Sequence, residues 1–159
     1  MATVFLGLGT NLGDKEQNLY QAVQEIEKRI GKVTSLSAFY VTDPWGFDSK
    51  NTFLNAACCV VTEMPPLEVL RKTKEIEQEM GRAGKSVNKV YSDRVIDIDL
   101  LLYDDLIMDS GELVLPHPLM AQRDFVMQPL SQIAPDIKHP VLGQTMKELN
   151  DSVIKLGDI

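Results

Sequence analysis

At 159 residues, with 44% hydrophobic and 25% charged side chains, the chain is long enough to bury one core and too short for two ordinary domains. Its formal charge of −7 excludes the broad cationic field on which non-specific binding to nucleic acid or anionic membrane depends, and no apolar run approaches the ~20 residues that span a bilayer. Without a signal-peptide pattern, repeat or low-complexity tract, residues 1–159 read as a single domain, cytoplasmic and monomeric.

"TVFLGLG" reads as a short buried strand, ended by the turn-forming "GTNLGD". Asp14 is placed to cap a helix with Gln17 three residues on; Leu19, Val23, Ile26 and Ile30 keep helical spacing, and Gly31 suits the position just past the end. Residues 33–42 are rich in β-branched and aromatic side chains, and "FLNAACCVVT" is another strand beyond "DPWGFDSKN", so the two are expected to pair. Within it Cys58 and Cys59 are adjacent, which gives neither disulfide nor zinc-ligand spacing; they read as small core residues. "MPPLEVLRKTKEIEQEMGR" predicts a second helix with Pro65 or Pro66 in its first turn and a stop at Gly81. After a basic segment comes a fourth strand, "VIDIDLLLY". The tail holds "LVLPHPLM", a helix over about 123–133 and a last helical piece near "TMKELN". The order β-α-β-β-α-β predicts a ferredoxin-like α+β sandwich, both helices on one face of an antiparallel sheet, with C-terminal helical additions.

Asp97 and Asp99 interrupt the apolar run of that fourth strand. Residues i and i+2 of a strand project from one face, with Cα atoms about 6.6 Å apart. The two carboxylates therefore point together, while Ile96, Ile98, Leu100 and Leu102 are expected to face the helices. Carboxylates held this close raise each other's pKa unless a cation lies between them. Hard oxygen ligands on one rigid element suit Mg²⁺, which keeps waters and takes its remaining ligands from phosphates. The same alternation also describes the solvated side of an antiparallel sheet, and the pair alone leaves both readings open. Upstream, residues 82–94 carry Arg82, Lys85, Lys89 and Arg94 against one acidic residue, Asp93. Beside two carboxylates in an acidic chain these cations read as a phosphate clamp facing a metal site, the alternative being a solvated basic loop. The segment is long for a connection, as lids are, and Tyr91 is placed to lie over a ligand. Arg94, an odd number of residues from Asp97, belongs before the strand or across a bulge.

Phe53 and Asn55, i and i+2 on one strand, share a face; by themselves they suit a core aromatic and a strand-end polar residue. His117 between two prolines and His139 in "KHP" read as structural loop histidines. "GLGTNLG" is spaced wrongly for a dinucleotide-binding G-x-G-x-x-G, and no Walker lysine follows. An RNA-binding module is disfavoured by acidity and by the missing aromatic RNA-binding motif.

The ordered set "GLGTNLGD", "FYVTDPWGF", "FLNAA", E-x-x-x-G-R, "DRVIDIDLLLY", "LPHP", "RDFVMQPLSQIAP" and "HPVLGQT" resembles the 6-hydroxymethyl-7,8-dihydropterin pyrophosphokinase family over nearly the whole chain. The resemblance implies transfer of the diphosphate of ATP, the co-substrate, to the hydroxymethyl group of a dihydropterin, with release of AMP. It implies two Mg²⁺ ions on Asp97 and Asp99 and catalytic, phosphate-binding roles for Arg82 and Arg94. His117 and Arg123 match nucleotide-contacting positions. Phe53, Asn55 and Phe125 match a pterin pocket, and Thr42, Pro44 and Trp45 match the loop that lines it. A pterin offers a π-face to stack and an amino/oxo edge that a carboxamide can pair. The chain departs from the family pattern at "YSDR", at Gly84 and at Pro118.

Overall fold

The computed structural model describes residues 1–42, 52–83 and 95–157. β1 (Ala2–Thr10) leads through a glycine turn into α1 (Lys15–Arg29). Asp14 caps that helix, its carboxylate accepting from the Gln17 N–H at 3.2 Å. One stripe of α1, including Leu19, Ala22 and Ile26, is buried against the sheet. The expected strand over 33–42 is two strands, β2 (Lys32–Leu36) and β3 (Tyr40–Thr42), with Ser37, Ala38 and Phe39 between them. Both pair antiparallel with β4 (Phe53–Thr62). α2 (Pro66–Ala83) starts with Pro66 in its first turn and the Pro65 carbonyl accepting from Val69 N–H. It runs past Gly81, the expected stop, to Ala83: an interior glycine costs a helix only about 1 kcal/mol, and Met80 is already anchored in the core.

β5 (Asp97–Tyr103) completes the main sheet, whose order is β2-β4-β1-β5 with β3 continuing the β2 edge. Counting β2 and β3 as one strand, this is the expected ferredoxin-like arrangement. A short hairpin, β6 (Met108–Asp109) with β7 (Val114–Leu115), leads to a single 3-10 turn at Met120–Gln122, then α3 (Asp124–Ile133) and α4 (Met146–Gly157). Thr145 and Glu148 cap α4 reciprocally: Glu148 N–H donates to the Thr145 hydroxyl at 3.1 Å, and Thr145 N–H to the Glu148 carboxylate at 2.9 Å.

The sheet has a core on each face. Val4, Leu6, Leu8, Cys58, Ile98 and Leu100 pack under α1 and α2, whereas Phe5, Ala57 and Cys59 pack under α3 and α4. The two cysteines are thus buried on opposite faces. Leu102 departs from the expected alternation. Phe5 pairs with Leu102 but Leu6 with Leu100, so Leu101 is an extra residue in β5. A one-residue bulge reverses the faces beyond it, and Leu101 and Leu102 both join the second core. Outside these two cores, Arg29 ties α1 to α2 through two bonds to Glu79 of 2.7 and 2.8 Å. None of the helices among the described residues is long and apolar enough to cross a membrane.

Gly31 ends α1 where the backbone passes directly over β4. A Cβ there would collide with the Val61 carbonyl oxygen, a backbone atom that cannot swing away. Gly31→Ala is expected to cost about 2 kcal/mol or more, read as a drop in the urea midpoint at unchanged slope; an unaltered midpoint would contradict this packing.

Candidate functional site

On the second face, α3 and α4 cover only part of the sheet. The remainder is organised by the register of three strands. Gly9 of β1 lies opposite Asn55 of β4 on one side and Asp97 of β5 on the other; Gly7 lies opposite Ala57 and Asp99. Residues opposite one another in an antiparallel ladder project from the same face, so Asn55 and Asp97 flank a position with no side chain. Phe53 projects beside Asn55, as the i, i+2 spacing requires. A Cβ on Gly9 would stand 2.9 Å from Asn55 Oδ1 and 3.6 Å from the Phe53 ring. At Gly7 it would meet the bulged Leu101 side chain at 3.4 Å. The result is a trough floored by Gly7 and Gly9, with two half-buried carboxylates along one side and an aromatic ring and a buried amide along the other. Asn55 Nδ2 donates to Thr42 Oγ1 at 2.6 Å, which orients the amide.

β5 is a sheet edge, and its outward backbone groups bond one side chain and one backbone N–H from elsewhere in the chain. The Ile98 N–H donates to Glu77 Oε2 of α2 at 2.6 Å. Burial, and then the neighbouring Asp97 carboxylate, push the Glu77 carboxyl up to about 7, against the lowering effect of that hydrogen bond and of Lys74. On the same strand the bulged Leu101 carbonyl accepts from His117 N–H at 3.0 Å, which docks the "PHP" turn beside the aspartates. His117 Nδ1 accepts from Leu119 N–H at 3.2 Å, so a neutral imidazole carries its proton on Nε2. Burial and the nearby Arg123 lower its pKa, while Asp97 pulls the other way. Arg123, just before α3, lies 5.5 Å from the centroid of the Phe125 ring, within cation–π range.

Among the residues singled out from sequence, Asp97, Asp99, Thr42, Phe53, Asn55, His117, Arg123 and Phe125 are described. Asp97, Asp99, Phe53, Asn55 and Thr42 share the trough face, and His117 and Arg123 are close enough to influence one another electrostatically. Arg82 falls in the last turn of α2, and its side chain, with Pro44, Trp45, Lys85, Tyr91 and Arg94, lies outside the described residues. Sequence reasoning missed Glu77. Its one signal was position: it is the acidic residue of the E-x-x-x-G-R motif, on the α2 stripe between Thr73 and Met80. The role of Gly7 and Gly9 as a floor was missed too, because alternate glycines in a strand look like weak strand formers until their neighbours are known.

The donor set fits a hard cation. Two carboxylates on one strand supply oxygen ligands. No cluster of three or more His, Cys, Asp or Glu side chains able to hold a metal occurs among the described residues. Water and ligand oxygens must complete any coordination, as they do for Mg²⁺ on one or two carboxylates.

Residues 5–135 match the family described as 7,8-dihydro-6-hydroxymethylpterin-pyrophosphokinase. The chain is 49% identical over 141 residues to a 2-amino-4-hydroxy-6-hydroxymethyldihydropteridine pyrophosphokinase of Porphyromonas gingivalis, covering 88% of this chain and 95% of that protein. A protein of the same name from Aquifex aeolicus is 37% identical over 148 residues, covering 93% of this chain and 90% of its own length. Among solved structures, a Plasmodium falciparum HPPK-DHPS triple mutant with pteroate superposes with a TM-score of 0.78 at 19% identity, over 98% of this chain. The present chain spans 44% of that longer one, and the likeness is one of fold.

The Glu77 carboxyl gives a pH signature. Its pKa is raised from 4.5 to about 7 in the folded chain, so between those values the native state holds a proton that the unfolded chain has released. Stability from this group is present at low pH and lost as pH rises through 7. Glu77→Gln keeps an acceptor for Ile98 N–H and removes the charge. It is expected to raise Tm at pH 8 by about 2–4 °C, or about 1 kcal/mol, with the difference closing near pH 4.5; thermal melts at both pH values check this, and equal Tm at pH 8 would refute it.

Proposed function

The chain belongs to the 7,8-dihydro-6-hydroxymethylpterin-pyrophosphokinase family, and from that premise we propose that the trough over Gly7 and Gly9 is where its reaction takes place. The reaction moves the diphosphate of ATP as one unit to 6-hydroxymethyl-7,8-dihydropterin, giving the pterin diphosphate and AMP, a step of folate biosynthesis. One observation carries the assignment: Asp97 and Asn55 face each other across Gly9. Carboxylates able to hold the cations that accompany a polyphosphate stand on one side, and a flat, hydrogen-bonding surface for a pterin on the other.

In this reading Phe53 and Phe125 flank the pterin ring, and Asn55, held by Thr42, pairs with its polar edge. Pro44 and Trp45, outside the described residues, are assigned with Thr42 to the loop that lines the pterin pocket, as the family resemblance implies. Asp97 and Asp99 would hold two Mg²⁺ ions, which when bound would supply neutralisation of phosphate charge and activation of the attacking hydroxyl. The chain's own groups orient and stabilise. His117 donates from Nε2 to a phosphate oxygen, and Arg123, Arg82, Arg94 and Lys85 pair with the remaining oxygens, with Tyr91 over the nucleotide. A bond forms between the pterin hydroxymethyl oxygen and the β-phosphorus. The bond from that phosphorus to the α,β-bridging oxygen breaks, the electron pair leaves with AMP, and the hydroxyl proton passes to solvent. Alignment and charge stabilisation provide the rate. Residues 1–159 act as one domain and as a monomer, in the cytosol where ATP is supplied.

The reading is tested by incubating the protein with ATP, Mg²⁺ and hydroxymethyldihydropterin and resolving the nucleotides. AMP in step with pterin diphosphate is expected; ADP would indicate a different phosphoryl transferase. Asp97→Ala should lower kcat by about a hundredfold or more, because charge stabilisation worth several kcal/mol is lost, and a kcat within about threefold of wild type would remove Asp97 from metal binding. Gly9→Ala should push the Asn55 amide from its position. The KM for the pterin is expected to rise about tenfold while Tm changes by a few degrees at most; an unchanged KM would place the pterin elsewhere.

A further inference from the structure

Asn55 and Thr42 orient one another, and Thr42 belongs to β3, an edge strand paired only with β4 among the described residues. Between β2 and β3 the regular pairing is interrupted. Two devices bridge the interruption. Ser37, buried at the break, donates its backbone N–H to the Ala57 carbonyl at 2.9 Å; its hydroxyl accepts from Ala57 N–H at 2.9 Å and donates to the Ala38 carbonyl at 2.7 Å. From the other side, a single atom of α3, Gln132 Oε1, accepts from Ala38 N–H at 2.9 Å and from the Tyr40 hydroxyl at 2.7 Å.

We infer that Gln132 is a positioning residue for the pterin side of the site, fixing β3 against β4 through Ala38 and Tyr40 so that Thr42 can orient Asn55. The inference rests on the functional reading above. Tyr40 lies directly opposite Asn55 in the β3–β4 ladder, and Thr42 opposite Phe53. Phe125 and Gln132 are seven residues apart on α3, two turns along one stripe, so one helix carries both the ring assigned to the pterin and the clamp on the strand facing it. The nucleotide end of the trough, built on β5 and the His117 turn, takes no part in these bonds. The clamp therefore acts on one substrate and not on the other. Glutamine suits this double contact because its carbonyl oxygen has two lone pairs and accepts both donors at once.

The test compares wild type with Gln132→Ala, Gln132→Glu and Tyr40→Phe. It measures KM for hydroxymethyldihydropterin at saturating ATP and Mg²⁺, Kd for a non-hydrolysable ATP analogue with Mg²⁺, and Tm. Gln132→Ala should raise the pterin KM about five- to tenfold, as expected for losing two hydrogen bonds, with the analogue Kd within about twofold of wild type. Gln132→Glu, which keeps the accepting oxygen, should restore the pterin KM to within about twofold. Tyr40→Phe, which removes one oxygen and no packing, should show a partial rise of about two- to threefold and carries the test if Gln132→Ala fails to fold. A pterin KM unchanged in Gln132→Ala, or a loss shared equally by both substrates with a fallen Tm, would overturn the inference while AMP formation still stood. Wild-type protein that made no AMP would instead overturn the functional reading and, with it, the pterin assignment of the clamp.

Discussion

The site depends on the register of β1 between β4 and β5. A glycine at position 9 is set opposite an amide on one neighbour and a carboxylate on the other, and the ladder's hydrogen bonds hold all three at a fixed lateral spacing of roughly 5 Å per strand. A one-residue slip of either neighbour would turn its functional side chains to the opposite face. What prevents the slip is the other face of the same strands, where Val4, Leu6 and Leu8 interlock with Ala56, Cys58, Ile98 and Leu100 beneath α1 and α2. The geometry of the proposed site is thereby set by hydrophobic packing on the reverse side of the sheet.

The bulge at Leu101 divides β5 into two working parts. Before it, strict alternation keeps Asp97 and Asp99 in the trough. After it, Leu102 turns to join the core beneath α3 and α4. That second core brings the C-terminal helices onto the sheet next to the trough, with Phe125 at the start of α3 and Gln132 near its end. At the bulge the Leu101 carbonyl accepts from His117 N–H. A single extra residue thus ends the acidic stretch, seats the tail and anchors a candidate phosphate donor.

Electrostatically the proposed site suits a polyanion that arrives with cations. Asp97 and Asp99 stand together, Glu77 is held partly protonated beside them, and His117 is kept neutral by burial and by Arg123. In a chain of net charge −7, bare triphosphate would be repelled from such a surface, whereas its magnesium complex would not. Neutral His117 still offers an Nε2 proton, so it can donate to phosphate without the cost of burying a charge.

Much of this was legible in the order of residues. Helical spacing from Leu19 to Ile30, the Asp14 cap and the β-α-β-β-α-β order follow from local periodicity and turn chemistry, which are properties of short segments. The i, i+2 rule likewise put Asp97 with Asp99 and Phe53 with Asn55. The facing of Asp97 and Asn55 across Gly9, the bulge that turns Leu102, and the roles of Glu77 and Gln132 were decided only by tertiary structure. Each depends on which strand lies beside which and in what register, and that is set by the summed packing of residues far apart in the chain, where no single segment carries the information.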